Sequence, residues 1–251
     1  MTIRNIKLSK TSAMHYMKLL FRGGLFLLVF GFYLYDRLHA RGGAFIDSFV
    51  AHPLLLALIW VIFAAEIILR FFPSGIESMG SQKQFAHNYR KPAAPALCPD
   101  DRRATLLVLL VWLALNGAIG ALYYLRIIDR GILLLVSLAY SVCDMVCILF
   151  FCPFQTWFLH NKCCGTCRIY NWDYAMMFTP FVYIPHVFTW SLLALSLILV
   201  VKWEVIHRRY PERFYEESNA MLRCTNCTEH LCTHKKQLRK LHAKLKMRFH
   251  R

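Results

Sequence analysis

A chain of 251 residues that is 57% hydrophobic and 18% charged, with a mean hydropathy of +0.40, is too apolar for an ordinary soluble domain, which runs nearer to about 45–50% apolar and 25% charged. The formal charge of +16 would suit a nucleic-acid binder on a polar chain. On this apolar background it points instead to basic loops on one side of a bilayer, and nucleic acid is not an expected partner.

Five apolar stretches follow one another at about 17–35, 53–72, 104–125, 131–153 and 178–201. Each reaches the roughly 17–25 residues that a spanning helix needs. The expected class is therefore all-α: a polytopic membrane helix bundle over residues 1–201, then a basic tail containing Cys and His over 202–251. The first stretch follows Arg4, Lys7, Lys10 and Lys18, as a signal peptide would, but it runs into Tyr33-Leu34-Tyr35-Asp36-Arg37 with no small-x-small cleavage pattern. It reads as an uncleaved signal anchor.

The second to fourth stretches read as plain spans, whereas the fifth is ambiguous. Pro180 and Pro185 interrupt it, with Thr179 and His186 beside them, and a proline removes a backbone donor and breaks or kinks a helix. The 28 residues from Tyr174 to Val201 would make about 42 Å of helix, enough for one long span or for two half-depth legs. The positive charges separate these readings. Lys and Arg number five in the N-terminal segment through Arg22, then two, six, two and two in the successive connections, and thirteen in the tail. Five crossings divide them 17 against 13, which is hardly a bias; a fifth segment that enters and returns divides them 26 against 4. In both cases the tail is expected to be cytoplasmic, in a membrane of the bacterial inner (plasma) type.

The ten cysteines fall into groups. Cys143 and Cys147 lie four residues apart on one face of the fourth stretch, where packing is the expected role. The segment after it reads Cys163-Cys164-Gly165-Thr166-Cys167, and the tail reads Cys224-Thr225-Asn226-Cys227-Thr228-Glu229-His230-Leu231-Cys232-Thr233-His234. A Cys-x2-Cys turn offers two thiolates to one metal, and two such turns complete a four-sulfur shell. Cys164, Cys167, Cys224 and Cys227 are thus the expected core ligands, with Cys163 and Cys232 as further cofactor-binding candidates. Four sulfurs satisfy zinc. Three thiols within the nine residues Cys224–Cys232, and more nearby, suit an iron–sulfur cluster better, and a thiol-redox pair is the third option. The two pairs can share a metal only if they lie on the same side of the membrane.

Glu66, Asp144 and His186 sit within or beside apolar stretches and should face the bundle interior. Glu66, close to Arg70, is expected to serve packing. Asp144 and His186 are the candidates for a proton or quinone contact. Aromatic residues on both sides of the first cysteine group, from Phe154 to Tyr174, place it near the headgroups. From Lys235 to Arg251, eight of 17 residues are Lys or Arg, while Leu238, Leu241, Leu245 and Phe249 share one helical face. This is the pattern of a basic amphipathic helix for anionic lipid or an acidic partner.

No Asp-His-His-Cys run, Walker loop, Gly-x-Ser-x-Gly elbow or His-Glu-x-x-His is present. The expectation is accordingly an iron–sulfur electron-transfer subunit of a larger membrane complex, linking a cytoplasmic protein partner to a carrier such as quinone. A zinc-stabilised scaffold and a small transporter are the alternatives.

Overall fold

The computed structural model describes residues 9–39, 52–74, 81–92, 101–160, 163–227, 231–232 and 235–236. Among them the regular structure is entirely helical. Helix α1 spans Lys10–Leu38, α2 Pro53–Leu69, α3 Arg102–Tyr124, α4 Arg130–Leu149, α5 Asp173–Phe178 and α6 Val187–Arg209.

Local chemistry accounts for most of these boundaries. Ser9 caps α1 by accepting a hydrogen bond from the Ser12 amide at 3.1 Å, and Asp129 caps α4 by accepting from Ile132 at 2.9 Å. Pro53 opens α2 at a position where its missing N–H costs nothing. Helix α4 ends just ahead of Cys152-Pro153, as expected for a residue held out of the helical region by the proline after it.

Helices α1, α3, α4 and α6 are each long and apolar enough to cross a membrane, and α2, at 17 residues, is a shorter apolar helix. Their outward faces carry Leu20, Leu27, Leu54, Leu58, Leu110, Ile198 and Val201, all exposed. Apolar surface on this scale has a bilayer as its natural solvent. Inside, α1 packs along α4 and α2 along α6, with Phe63, Ile67, Phe178, Leu199 and Trp203 at the centre of the core.

The Pro-interrupted stretch divides unevenly. Its first limb is α5 followed by a 3-10 turn over Thr179–Tyr183, wedged against α4 and α6. The break falls at Ile184–His186, and the second limb is the full-length α6. Pro180 does not break the chain because it sits in the first turn of its own 3-10 segment, where no donor is missed. At the bottom of the first limb the Tyr183 hydroxyl donates to the Asn116 carbonyl at 3.1 Å, and its ring packs on Tyr123 and Tyr124 near the end of α3.

The chain then returns to the end it left. Arg168, before the first limb, pairs with Glu204 near the end of α6, and residues 219–220 bond back to Lys83 and Arg90. At the other end, Arg37 and Tyr33 of α1 meet Asp129 before α4.

Candidate functional site

Where α4 ends, its cysteines meet those of the following segment. A cavity of about 120 Å³ is walled by Cys143, Cys147, Cys152, Cys164 and Cys167, together with Asp144, Asp173, Met176 and Met177. Cys143 and Cys147 reach it because they are one helical turn apart on the same face of α4. Cys152 follows the break in that helix. Cys164 and Cys167 arrive on a 3-10 turn over Cys164–Thr166 and are 9% and 8% exposed.

Within this cavity the Cys147 and Cys152 side chains lie within reach of a hydrogen bond to each other. That bond is the main influence holding the Cys152 thiol below the ordinary thiol range, against the effect of burial; the Gln155 amide, the Lys235 ammonium and the Phe154 amide add to it. Cys164 is the opposite case: burial pushes it up to about 11, although the Lys235 ammonium lies 3.4 Å from its sulfur. Lys235 also donates to the Cys147 carbonyl at 3.0 Å, so the tail is joined at this residue to both cysteine-bearing segments.

The second cysteine group gathers around Cys163. Its sulfur accepts the Gly165 amide at 3.3 Å, and burial foremost raises its thiol, with Cys227 and Cys232 close enough to add to the effect. The two Cys-x2-Cys segments fold into near copies of one turn. In each the second cysteine's amide donates to the first one's carbonyl, at 3.1 Å for Cys167 and 3.3 Å for Cys227.

The quartet expected from spacing is thus divided. Cys164 and Cys167 face the thiols of α4, while Cys227 and Cys232 neighbour Cys163, and Cys224 is exposed. None of the described cysteines is in a disulfide, and among the described residues no group of three or more His, Cys, Asp or Glu side chains converges as a metal site. Cys98, His230, His234 and the expected amphipathic helix beyond Lys236 lie outside the described residues.

Asp144 borders the thiol cavity but is committed elsewhere. Arg22, with its side chain only 1% exposed, donates to Asp144 at 2.9 Å, to Glu66 at 2.7 Å and to the Ser141 carbonyl at 3.2 Å. Lys18 approaches Glu66 to 3.3 Å, and the Tyr174 hydroxyl donates to it at 3.0 Å. Glu66 therefore pairs with α1 and not with Arg70, whose guanidinium goes to Asp173 at 2.7 Å between the rings of Tyr170 and Tyr174. Three cations and three carboxylates from α1, α2, α4 and the first limb balance one another, which is how buried charges persist at this depth.

His186 stands apart from both cysteine groups. It caps α6, its ring nitrogen accepting the Phe188 amide at 3.4 Å, about 27 Å along that helix from Glu204.

A second, larger cavity escaped the sequence reading altogether. It measures about 910 Å³, lies between α3, α6 and the segment from Arg168 to Thr179, and shares Trp112 and Met176 with the thiol cavity. No periodicity announces it, because its walls come from three separate stretches. Comparison of the chain with protein-family models, with curated proteins and with solved structures gives no match.

Proposed function

We propose that this protein is an integral membrane redox protein whose chemistry is carried by cysteine thiols at the cytoplasmic end of its helix bundle. The observation that carries the reading is that the Cys147 and Cys152 thiols share one cavity with three further cysteines, close enough to act on each other's titration. On oxidation the two thiols form one disulfide and release two electrons and two protons, which a membrane carrier of the quinone class accepts as it becomes a quinol. A cytoplasmic dithiol partner restores the pair. One of its thiolates attacks the Cys147 sulfur and displaces Cys152, whose lowered thiol makes it the better leaving group. The partner's second thiol then displaces Cys147 from the mixed disulfide, leaving both cysteines reduced and the partner as a disulfide. A disulfide in a reducing compartment is expected to be transient and catalytic in this way.

The orientation rests on the positive charges. With the N-terminus, the 70–103 connection, the cysteine segment and the tail all inside, 26 of the 30 Lys and Arg residues are cytoplasmic. Helices α1 to α4 then each cross once, and the Pro-broken segment goes in by its first limb and comes back by α6 to the cytoplasmic side.

The second reading keeps the expected metal, as zinc or an iron–sulfur cluster, and moves it. The Gly165 amide on the Cys163 sulfur is the kind of bond that supports a metal thiolate, and Cys227 and Cys232 are its neighbours. The tail sequence offers Cys224, His230 and His234 for the remaining positions.

Anaerobic purification followed by addition of a soluble quinone tests the choice. The first reading requires a Cys147–Cys152 disulfide in peptide mass spectra, formed in proportion to quinol and absent in Cys152→Ser. Stoichiometric zinc, or iron with visible absorption that bleaches on reduction, lost in Cys163→Ser and with no such disulfide, establishes the second. Thiols of the cytoplasmic segments that an impermeant reagent labels from outside intact cells would overturn the orientation.

A further inference from the structure

The 910 Å³ cavity is amphipathic along its length. Leu106, Leu113 and Leu197 line it and are 56%, 53% and 49% exposed, so this part opens on the apolar surface of α3 and α6. The opposite end is walled by Asp101, Arg102, Arg168, Glu204, His207 and Arg208. Its size lies at the upper end of the range for bound small molecules, about 300–1,000 Å³.

Two features of the polar end point to a ligand. The first is unmet hydrogen-bonding capacity. Arg168 keeps only 9% of its side chain exposed and spends Nη1 and Nη2 on Glu204, yet its Nε makes no hydrogen bond, with Asp101 no closer than 3.9 Å. The Thr105 hydroxyl, on a residue 8% exposed, is unbonded as well. Both donors belong to residues that line the cavity, and a buried donor left without an acceptor is costly. The second feature is charge: three guanidiniums face two carboxylates, which leaves one positive charge in excess. Arg208 makes no ion pair with any described carboxylate.

We propose that this cavity binds one lipid with an anionic phosphate headgroup, taken laterally from the leaflet on the side of the cysteine segment. The phosphate oxygens accept from Arg168, Thr105 and Arg208, and an acyl chain lies along Leu109, Leu113 and Leu197. A phosphodiester supplies the single negative charge that the site lacks. A neutral quinone ring leaves that charge unanswered, and a zwitterionic headgroup brings its own cation to a site already in positive excess. The inference rests on the helical fold and not on the thiol chemistry.

The test uses the full-length protein in neutral detergent, titrated separately with phosphatidylglycerol, phosphatidylcholine, glycerol 3-phosphate and a short-chain quinone, and read by native mass spectrometry and thermal shift. One phosphatidylglycerol per chain is expected, held at least tenfold more tightly than phosphatidylcholine, with no saturable binding of glycerol 3-phosphate. Arg208→Gln should weaken binding about tenfold. Leu197→Trp, which fills the apolar part, should abolish it while leaving the lipid-free melting temperature in place; Leu113→Trp serves if that variant does not fold. Equal binding of the two lipids, preference for the quinone, binding of the soluble phosphate as tight as the lipid's, or undiminished binding in a folded, groove-filled variant each overturns the proposal.

Discussion

Arg168 and Glu204, 36 residues apart in sequence, face each other with two parallel hydrogen bonds, Nη1–Oε1 at 2.8 Å and Nη2–Oε2 at 2.6 Å. The Trp172 indole donates to the same carboxylate at 2.8 Å. One carboxylate on α6 thereby holds both the end of the cysteine segment and the start of the first limb. It also forms part of the polar wall of the larger cavity, so the fork ties the cysteine segment to α6 and to that cavity.

Breaking that fork should loosen the cysteine segment before it unfolds the bundle. Glu204→Gln is expected to cost about 2 kcal/mol, below the roughly 3–5 kcal/mol of a fully buried pair, because Glu204 keeps 27% of its side chain exposed. Hydrogen exchange should rise over residues 163–172 and stay unchanged in α1. A uniform rise across all helices would count against a local role.

Arg22 should be far less replaceable. Arg22→Met leaves Glu66 and Asp144 with an uncompensated negative charge inside the bundle, at a cost of about 3–5 kcal/mol in thermal or denaturant unfolding. Adding Glu66→Gln and Asp144→Asn to the same chain should recover most of the loss, since no bare carboxylate remains at that site. If the triple variant is as unstable as the single one, the network is not what Arg22 supports.

This network shows where reading one dimension stops. The all-helical class and the long apolar helices are carried by composition, and the break ahead of α6 by Pro185. Glu66, by contrast, lies four residues before Arg70, and a helix-surface rule would pair them. The fold pairs each with a residue of another segment, Arg22 and Asp173 respectively. Cys143 and Cys147 look like packing because free cysteine is a small hydrophobe, and their spacing is indeed compatible with that. Their link to Cys152 depends on where α4 ends, and their link to Cys164 on how the next turn folds back. Cross-segment relations of this kind have no local signature.

The first limb's approach to α3 rests on one glycine. A Cβ on Gly120 would stand 2.2 Å from the Tyr183 hydroxyl oxygen and 2.3 Å from the ring carbon that bears it. Gly120→Ala should therefore destabilise the protein by about 1–3 kcal/mol, as overpacking does. In a Tyr183→Ala background the obstacle is gone, and the same change should turn favourable by up to about 1 kcal/mol, the difference in helix propensity. A penalty of equal size in both backgrounds would show that Tyr183 does not occupy this position.

The thiol cavity makes a prediction in pH. A thiolate, not a thiol, reacts with iodoacetamide, so the alkylation rate of each cysteine climbs through its own pKa. Cys152 is held below the ordinary thiol range, first by its hydrogen bond with Cys147 and then, against burial, by the Gln155 amide and Lys235. Its rate in the folded protein should rise to a plateau at lower pH than the same cysteine shows in urea, where an ordinary thiol titrates near about 8.5. Cys147→Ala removes the largest contribution and should move the folded midpoint back up. Lys235→Met should move it in the same direction by less, because the ammonium ranks behind that bond. Midpoints, unlike absolute rates, do not depend on how easily the reagent enters, so a purely steric role for Cys147 would leave the midpoint in place. A folded midpoint at or above the unfolded one would remove Cys152 as the favoured leaving thiolate when a cytoplasmic dithiol reduces the proposed disulfide, and the second, metal-centred reading would then take precedence.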